Sequence, residues 1–347
     1  MQLTLIYKLG AGIWTPLTVI FGWLTSLLNE YFGSFGLAII FLTIIIRGAT
    51  MPLNIRSQKA MMKQQALSDK QAEIKRKYPD DKQKQEEELQ KLFRENGIST
   101  LSGCLLPLLP ILFLFPIWYV VRQPLQYVMG VSESNIKAMG ELLNLKGVTS
   151  DNISLINVLT TDASAMVQSV GKGLIKVDQV LDMKFLGMNL GLTPSANPST
   201  IMSDPGTYLP LLSIPIICLI TTVIQTMMTN LTKPNAKEKK EEKNRAKANP
   251  ANNKPDDPSN RTMKIFTYIM PLLMLWFTFS SPAAFGFYWI VGNLMSILQT
   301  VLTYYMFTKP FEEKTRELKE QKKNAFKKKK AELATETAGG SGKKKNK

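Results

Sequence analysis

Histidine is absent from this chain, and cysteine occurs only twice in 347 residues. Without imidazole there is no histidine general base, proton relay or His-ligated metal site. Cys104 and Cys218 each sit in an apolar run, so they read as small buried residues rather than a disulfide or metal pair. Acidic residues are missing where they would matter most: none occurs in the five long apolar stretches. No metal cluster, phosphate loop, cofactor fingerprint or nucleophile–base pair is legible. The expectation is therefore no cofactor, no metal, no catalytic residue and no enzyme.

What is present lies at two extremes. Hydrophobic residues make up 45%, yet 43 Lys+Arg and 27 Asp+Glu bring the mean hydropathy to -0.04. The average hides very apolar and very charged windows. The apolar windows are 35–53, 105–121, 208–228, 265–279 and 285–307. A spanning helix needs about 20 residues. The fourth window must borrow flanking residues, and "SSPAAFG" makes the last two a tight hairpin. The expected fold class is an all-α integral membrane protein built on a five-helix transmembrane bundle.

Charge orients the spans. Residues 54–103 carry 11 Lys/Arg, residues 230–264 carry 10 and the tail 309–347 carries 14, each in excess over acids; 122–207 carries 6 against 7 acids. The positive-inside rule places the first three in the cytoplasm and the last outside, with the N-terminus outside and the C-terminus inside. The domain reading follows: 32–54 first span, 55–102 cytoplasmic helical hairpin, 103–124 second span, 125–207 extracytoplasmic loop, 208–229 third span, 230–262 disordered cytoplasmic loop, 263–308 fourth and fifth spans, 309–347 basic cytoplasmic tail.

Residues 1–31 show Ile13, Leu17, Ile20, Leu24, Leu27 and Tyr31 at helical spacing, with Thr18, Gly22 and Thr25 opposite. That pattern predicts an outer interfacial amphipathic helix anchored by Trp14 and Trp23; an extra span or a signal-like segment is the rival. "LSGC" at 101–104 is a chance lipoprotein-like box, since no apolar signal region precedes it. In the hairpin, a first arm runs from about Arg56 to Tyr78, "PDD" breaks it with an Asp N-cap, and Gly97 ends the second arm. Lys322, Lys323, Lys327, Lys328, Lys329 and Lys330 form tail runs that attract anionic lipids or RNA phosphates by charge alone.

The sharpest local feature is "LTIIIRGATMPL", where Arg47 sits inside the first span. At about 1.5 Å per residue it lies roughly 18 Å from Phe35 and about 10 Å from Asn54, in the inner half of the bilayer. A central charge costs about 2.5–3.5 kcal/mol on translocon scales. Arginine cannot neutralise itself, and no intramembrane acid is available, so it must snorkel or face water. Its neighbours favour water. Thr43, Arg47, Thr50 and Asn54 share one helix face. Thr221 or Thr222, Gln225 and Thr229 make a second stripe; Trp289, Asn293, Ser296 and Thr300 make a third. One polar stripe is usually helix–helix glue; three with an unpaired arginine predict a hydrophilic groove.

At these residues the sequence resembles the YidC family of membrane protein insertases. "GLAIIFLTIIIRGATMPL" (36–53), "KYPDDKQKQEEELQKLFRENGIS" (77–99), "GCLLPLLP" (103–110), "FLGMNLG" (185–191), "YLPLLS" (208–213) and "SPAAFGFYWIVGNLMSILQT" (281–300) resemble successive family segments in order. "STLSGC" departs from the family's usual Asn-Pro before Gly-Cys, and 125–184 matches no family segment. The resemblance implies a five-helix bundle around a groove open to cytoplasm and lipid. It implies that Arg47 is the groove arginine, with Thr43 one turn away, Gln225 on the third span and Trp289 as an aromatic substrate contact. Implied partners are nascent membrane proteins, ribosomes through the basic tail and loops, membrane lipids, and optionally a Sec-type translocon. Without the large periplasmic domain or a transit peptide, a Gram-positive-like bacterial plasma membrane is expected. Two rivals stand beside insertion: a small-solute (anion) transporter or channel using Arg47, and an assembly scaffold without a groove.

Overall fold

A computed structural model describes residues 2–98, 112–232 and 258–340. Cys104, the start of the second predicted span and most of the predicted 230–262 loop lie outside these residues. So do the side chains of 2–13, 258–268 and several tail residues. The chain divides into two compact bodies. The first comprises Met1–Asn54, Gly103–Thr229 and Lys254–Gln299; the second comprises Ile55–Ser102, Asn230–Asn253 and Thr300–Lys347.

In the first body, α1 (Gln2–Phe32) ends at Gly33, whose φ of 62° turns the chain into α2 (Phe35–Ala66). The small face of α1 packs inward. Thr18 and Thr25 are buried and return their hydroxyls to the carbonyls of Trp14 and Phe21. That satisfies hydroxyls that have no water to meet. A Cβ on Gly22 would lie 2.3 Å from the Tyr127 carbonyl oxygen, so only glycine admits this approach. Val19, Ile20, Trp23, Leu27 and Tyr31 face outward, as the apolar side of an interfacial or lipid-facing helix would.

α11 (Pro205–Leu231), α12 (Pro258–Phe279) and α13 (Ala283–Thr303) complete the apolar helices with the short α5 (Leu112–Arg122). By length and composition, among the described residues three helices can cross a membrane: those covering Phe35–Gln64, Pro205–Leu231 and Ala283–Leu318. α12 is described with side chains only from Ile269, and α5 only from Leu112. The five-span expectation therefore stands in its coarser form, a mostly helical multi-pass membrane protein. The crossing windows are only 33%, 33% and 44% buried. Their remaining apolar faces, with Ile45, Ile216, Ile220, Leu272, Trp276 and Leu294 exposed, are solvated by lipid. Inside, small residues let backbones close: a Cβ on Gly286 would lie 2.7 Å from Ile214 and 3.2 Å from Thr278.

The 122–207 segment, expected as a loop, is folded. It holds α6 (Pro124–Tyr127), α7 (Glu133–Leu142), α8 (Ile153–Thr161), α9 (Ala163–Gly171) and α10 (Pro198–Ser203). A two-stranded antiparallel hairpin, β1 (Lys184–Phe185) and β2 (Met188–Asn189), pairs Lys184 with Asn189. Ile136, Met139, Leu155, Ile156, Leu181 and Leu190 give it a core. It is tied to the apolar helices throughout. Arg122 bonds Asp151 through Nη2 at 2.7 Å and stacks on Trp118, whose Nε1 donates to Ser281 Oγ at 3.2 Å. Ala283 and Ala284 N–H donate to the Leu192 and Leu190 carbonyls, both at 2.8 Å. The Phe185 ring lies where any Cβ on Gly36 would clash, 2.2 Å from it, and meets Phe287 edge-on. We call this segment the cap.

In the second body, the predicted first hairpin arm is interrupted at Leu67. The Gln64 carbonyl accepts from Leu67 N–H and Gln71 Nε2, closing the end of α2 before α3 (Ser68–Lys77) begins. Asp81 caps α4 (Lys82–Glu95) by accepting from Lys84 N–H, and Gly97 follows with φ 64°. Met62, Phe93 and Ile98 are its thin apolar core. The chain from Thr303 runs through a π turn, Tyr304–Thr308, into α14 (Lys309–Gly340). The basic tail is thus helical over these residues.

Candidate functional site

Two polar stripes meet at α11 and α13. Trp289 Nε1 donates to Thr222 Oγ1 at 3.2 Å, and Asn293 Nδ2 donates to Thr221 and Thr222 Oγ1 at 3.1 and 2.8 Å. Each threonine hydroxyl donates in turn to a carbonyl of its own helix, Thr222 to Cys218 at 2.7 Å. All four residues are buried. These contacts act as interhelical glue, in which the indole N–H, the Asn293 amide N–H and both threonine hydroxyls have partners.

Arg47 is different. Its side chain is half-buried, and among the described residues it has neither a carboxylate nor a hydrogen-bond acceptor. The guanidinium lies against α13 at Gly292: a Cβ there would stand 3.1 Å from Nη2 and 3.8 Å from Nε. The Arg47 carbonyl accepts from Gln299 Nε2 at 2.8 Å and from Thr50 Oγ1 at 3.2 Å. Buried Tyr288 lies within electrostatic reach of the charge. α13 therefore presents two faces. Trp289 and Asn293 hold α11, while Gly292 and Gln299 meet Arg47.

The remaining predicted residues divide accordingly. Thr43 is fully buried and donates to Ile39 O at 2.7 Å, so its hydroxyl serves its own helix. Thr50, Gln225 and Ser296 are half-buried, and Gln225 Nε2 makes one long contact, 3.4 Å, to Thr229. Thr300, predicted as the end of the third stripe, falls in the second body. On α14, Lys327 and Lys328 are exposed; the side chains of Lys322, Lys323, Lys329 and Lys330 lie outside the described residues. Cys218 is buried and free, as a small apolar residue would be. Outside the spans, Asp162 caps α9 with hydrogen bonds from the Ser164 hydroxyl, Ser164 N–H and Ala165 N–H. These bonds hold its carboxyl below the usual range.

Sequence reading missed Gly292, Gln299 and Tyr288. Their shared signal is spacing: 288, 292, 296 and 299 step by 4, 4 and 3, one face beside the stripe that was noticed.

A model of the family described as 60Kd inner membrane protein matches residues 27–310. The chain belongs to that family. Its relatives here carry the name membrane protein insertase YidC. One, YidC 2 of Listeria innocua, is 24% identical over 344 residues, covering 96% of this chain and 87% of that protein. The YidC of Alkalihalophilus pseudofirmus is 25% identical over 308 residues, covering 85% and 84%. The YidC of Prosthecochloris aestuarii is 26% identical over 275 residues, 79% of this chain but 34% of that longer protein. The family match thus runs from the last turns of α1 to the start of α14. None of these relatives carries the anion-transport reading.

Proposed function

We infer that this protein is a membrane protein insertase and chaperone that moves short hydrophilic flanks and apolar segments of nascent proteins from cytoplasm into the bilayer. The observation that carries the reading is Arg47, half-buried on a polar face of a spanning helix and without an ion-pair partner among the described residues, in a chain of the 60Kd family. Arg47, Thr50, Gln225 and Ser296 form the wetted side of a groove. Thr222, Trp289 and Asn293 build its firm wall, with Thr43 packed behind Arg47. A client flank entering this groove exchanges water for these groups, which lowers the desolvation barrier of crossing lipid. Arg47 attracts acidic residues in that flank. Transfer of the apolar segment into lipid then drives the step, so neither covalent chemistry nor nucleotide is needed.

The cap lies outside the cell, and the hairpin and α14 lie in the cytoplasm, an orientation supported by the charge bias. The exposed lysines of α14 dock translating ribosomes or anionic lipid, and a Sec-type translocon is a compatible partner. The deciding experiment reconstitutes the purified chain into liposomes and translates a small single-span substrate beside them. A protease-protected fragment above the empty-liposome level supports insertion. Protection at the empty-liposome level, with ribosomes bound, rejects autonomous insertion in favour of an assembly role.

A further inference from the structure

Why does the charge of Arg47 stay in one place? The helix beneath it is locally weakened. Pro52 supplies no N–H, so the Gly48 carbonyl, four residues earlier, loses its ladder donor. The long guanidinium arm gains no carboxylate to fix it among the described residues. Left to itself, such a side chain would sample many rotamers and snorkel toward the head groups.

Two contacts from α13 oppose this. Gln299, only 8% exposed, donates through Nε2 to the Arg47 carbonyl at 2.8 Å, clamping the backbone in the weakened turn. Two turns away, buried Gly292 offers a flat backbone surface against which the guanidinium lies; a methyl group would press on Nη2 at 3.1 Å. Because the atom met is the far end of a flexible side chain, a larger residue would displace the guanidinium without breaking the fold.

We propose that Gly292 and Gln299 are positioning residues for the groove: the amide fixes the turn that carries Arg47, and the missing side chain fixes where its charge points. This rests on the insertase reading above, with Arg47 as the group that attracts acidic flanks. Neither residue touches the client. Both act through Arg47, and both set selectivity for flank charge rather than insertion itself.

The test uses the full chain in proteoliposomes and two single-span substrates that differ only in an acidic or neutral flank. The readout is the ratio of protected acidic to protected neutral substrate, for wild type, Arg47→Gln, Gly292→Ala, Gly292→Val, Gln299→Met and the double variant Arg47→Gln/Gln299→Met. Gln299→Met keeps shape and neutrality but removes the donor. The expected result is a roughly three- to tenfold fall in the ratio for Gly292→Val and Gln299→Met, as expected for moving one charge a few ångströms. Gly292→Ala should fall in between, and neutral-substrate insertion should stay near wild type. In the Arg47→Gln background, Gln299→Met should leave the ratio unchanged. Loss of both substrates in parallel, or a ratio that stays at wild type while Arg47→Gln lowers it, would overturn the positioning role alone. An unchanged ratio in Arg47→Gln itself would overturn the attraction, and this inference with it. Gly292→Ala and Gln299→Met are mild enough to decide the matter if Gly292→Val does not accumulate.

Discussion

The two faces of α13 solve opposite problems with similar residues. On one, Trp289 and Asn293 meet Thr221 and Thr222, and the Thr222 oxygen accepts two bonds while donating a third. That exhausts a hydroxyl. On the other, Arg47 lies against a glycine, with no carboxylate paired to it among the described residues. Both are polar surfaces inside a membrane protein, where unsatisfied groups are costly. The first spends its donors and its threonine hydroxyls on holding two helices together. The second keeps its capacity open. Polarity alone therefore separates these two surfaces poorly; unfilled hydrogen-bonding capacity separates them well.

The contrast breaks most severely at the charge. Arg47→Glu should reduce insertion of acidic-flank substrates by about tenfold or more, since attraction becomes repulsion, while neutral-flank substrates change far less. Parallel insertion assays on matched substrates measure this, and equal losses for both would contradict it. Next in size is the cap contact. Gly36→Leu drives a side chain into the Phe185 ring and should destabilise the protein by about 1–3 kcal/mol, read as a lower midpoint in detergent unfolding. On the satisfied face, Thr222→Val removes the acceptor for both Trp289 and Asn293. It should cost about 1–2 kcal/mol and leave the acidic-to-neutral ratio untouched. A shifted ratio would mean the two faces are not separate.

The smallest effect is a titration. Asp162 has a carboxyl held low by its capping bonds. Its contribution is therefore fully present above the unfolded carboxylate pKa of about 3.9, and is lost as pH falls through the lowered folded value. Hydrogen exchange at Ser164 and Ala165 should quicken there, and Asp162→Ala should remove that pH dependence. The spans hold no carboxylate or histidine, so the acidic-to-neutral ratio should not follow this titration.

The sequence made the spanning helices legible because lipid demands long apolar runs. It also exposed Arg47, since a charge there has no other ready explanation. The stripe Trp289, Asn293, Ser296 and Thr300 was visible as a period but not as two functions. Periodicity says which residues share a face, not which helix they meet. Gly292 was invisible for a simpler reason: its role is an absent side chain. Gln299 pairs with a carbonyl 252 residues earlier, a relation no local pattern contains. The cap was read as a loop because its helices are short and its core joins residues scattered from Leu125 to Leu190. α1 shows the remaining lesson. Its threonine face is covered by protein and its tryptophan face is outward, the reverse of a soluble helix, as expected where lipid is the solvent.

The stitching of the cap sets a constraint on how this protein itself is made. Leu190 and Leu192 receive their hydrogen bonds from Ala284 and Ala283, and Trp118 waits for Ser281, 163 residues downstream. At about 5–20 residues per second of synthesis, the cap would stay partly unclosed for several seconds after its own residues emerge. During that interval it lacks the partners that finish it. The last two apolar helices thus also complete the cap, and a ribosome stalled before residue 281 would leave a chain with an open, protease-sensitive cap.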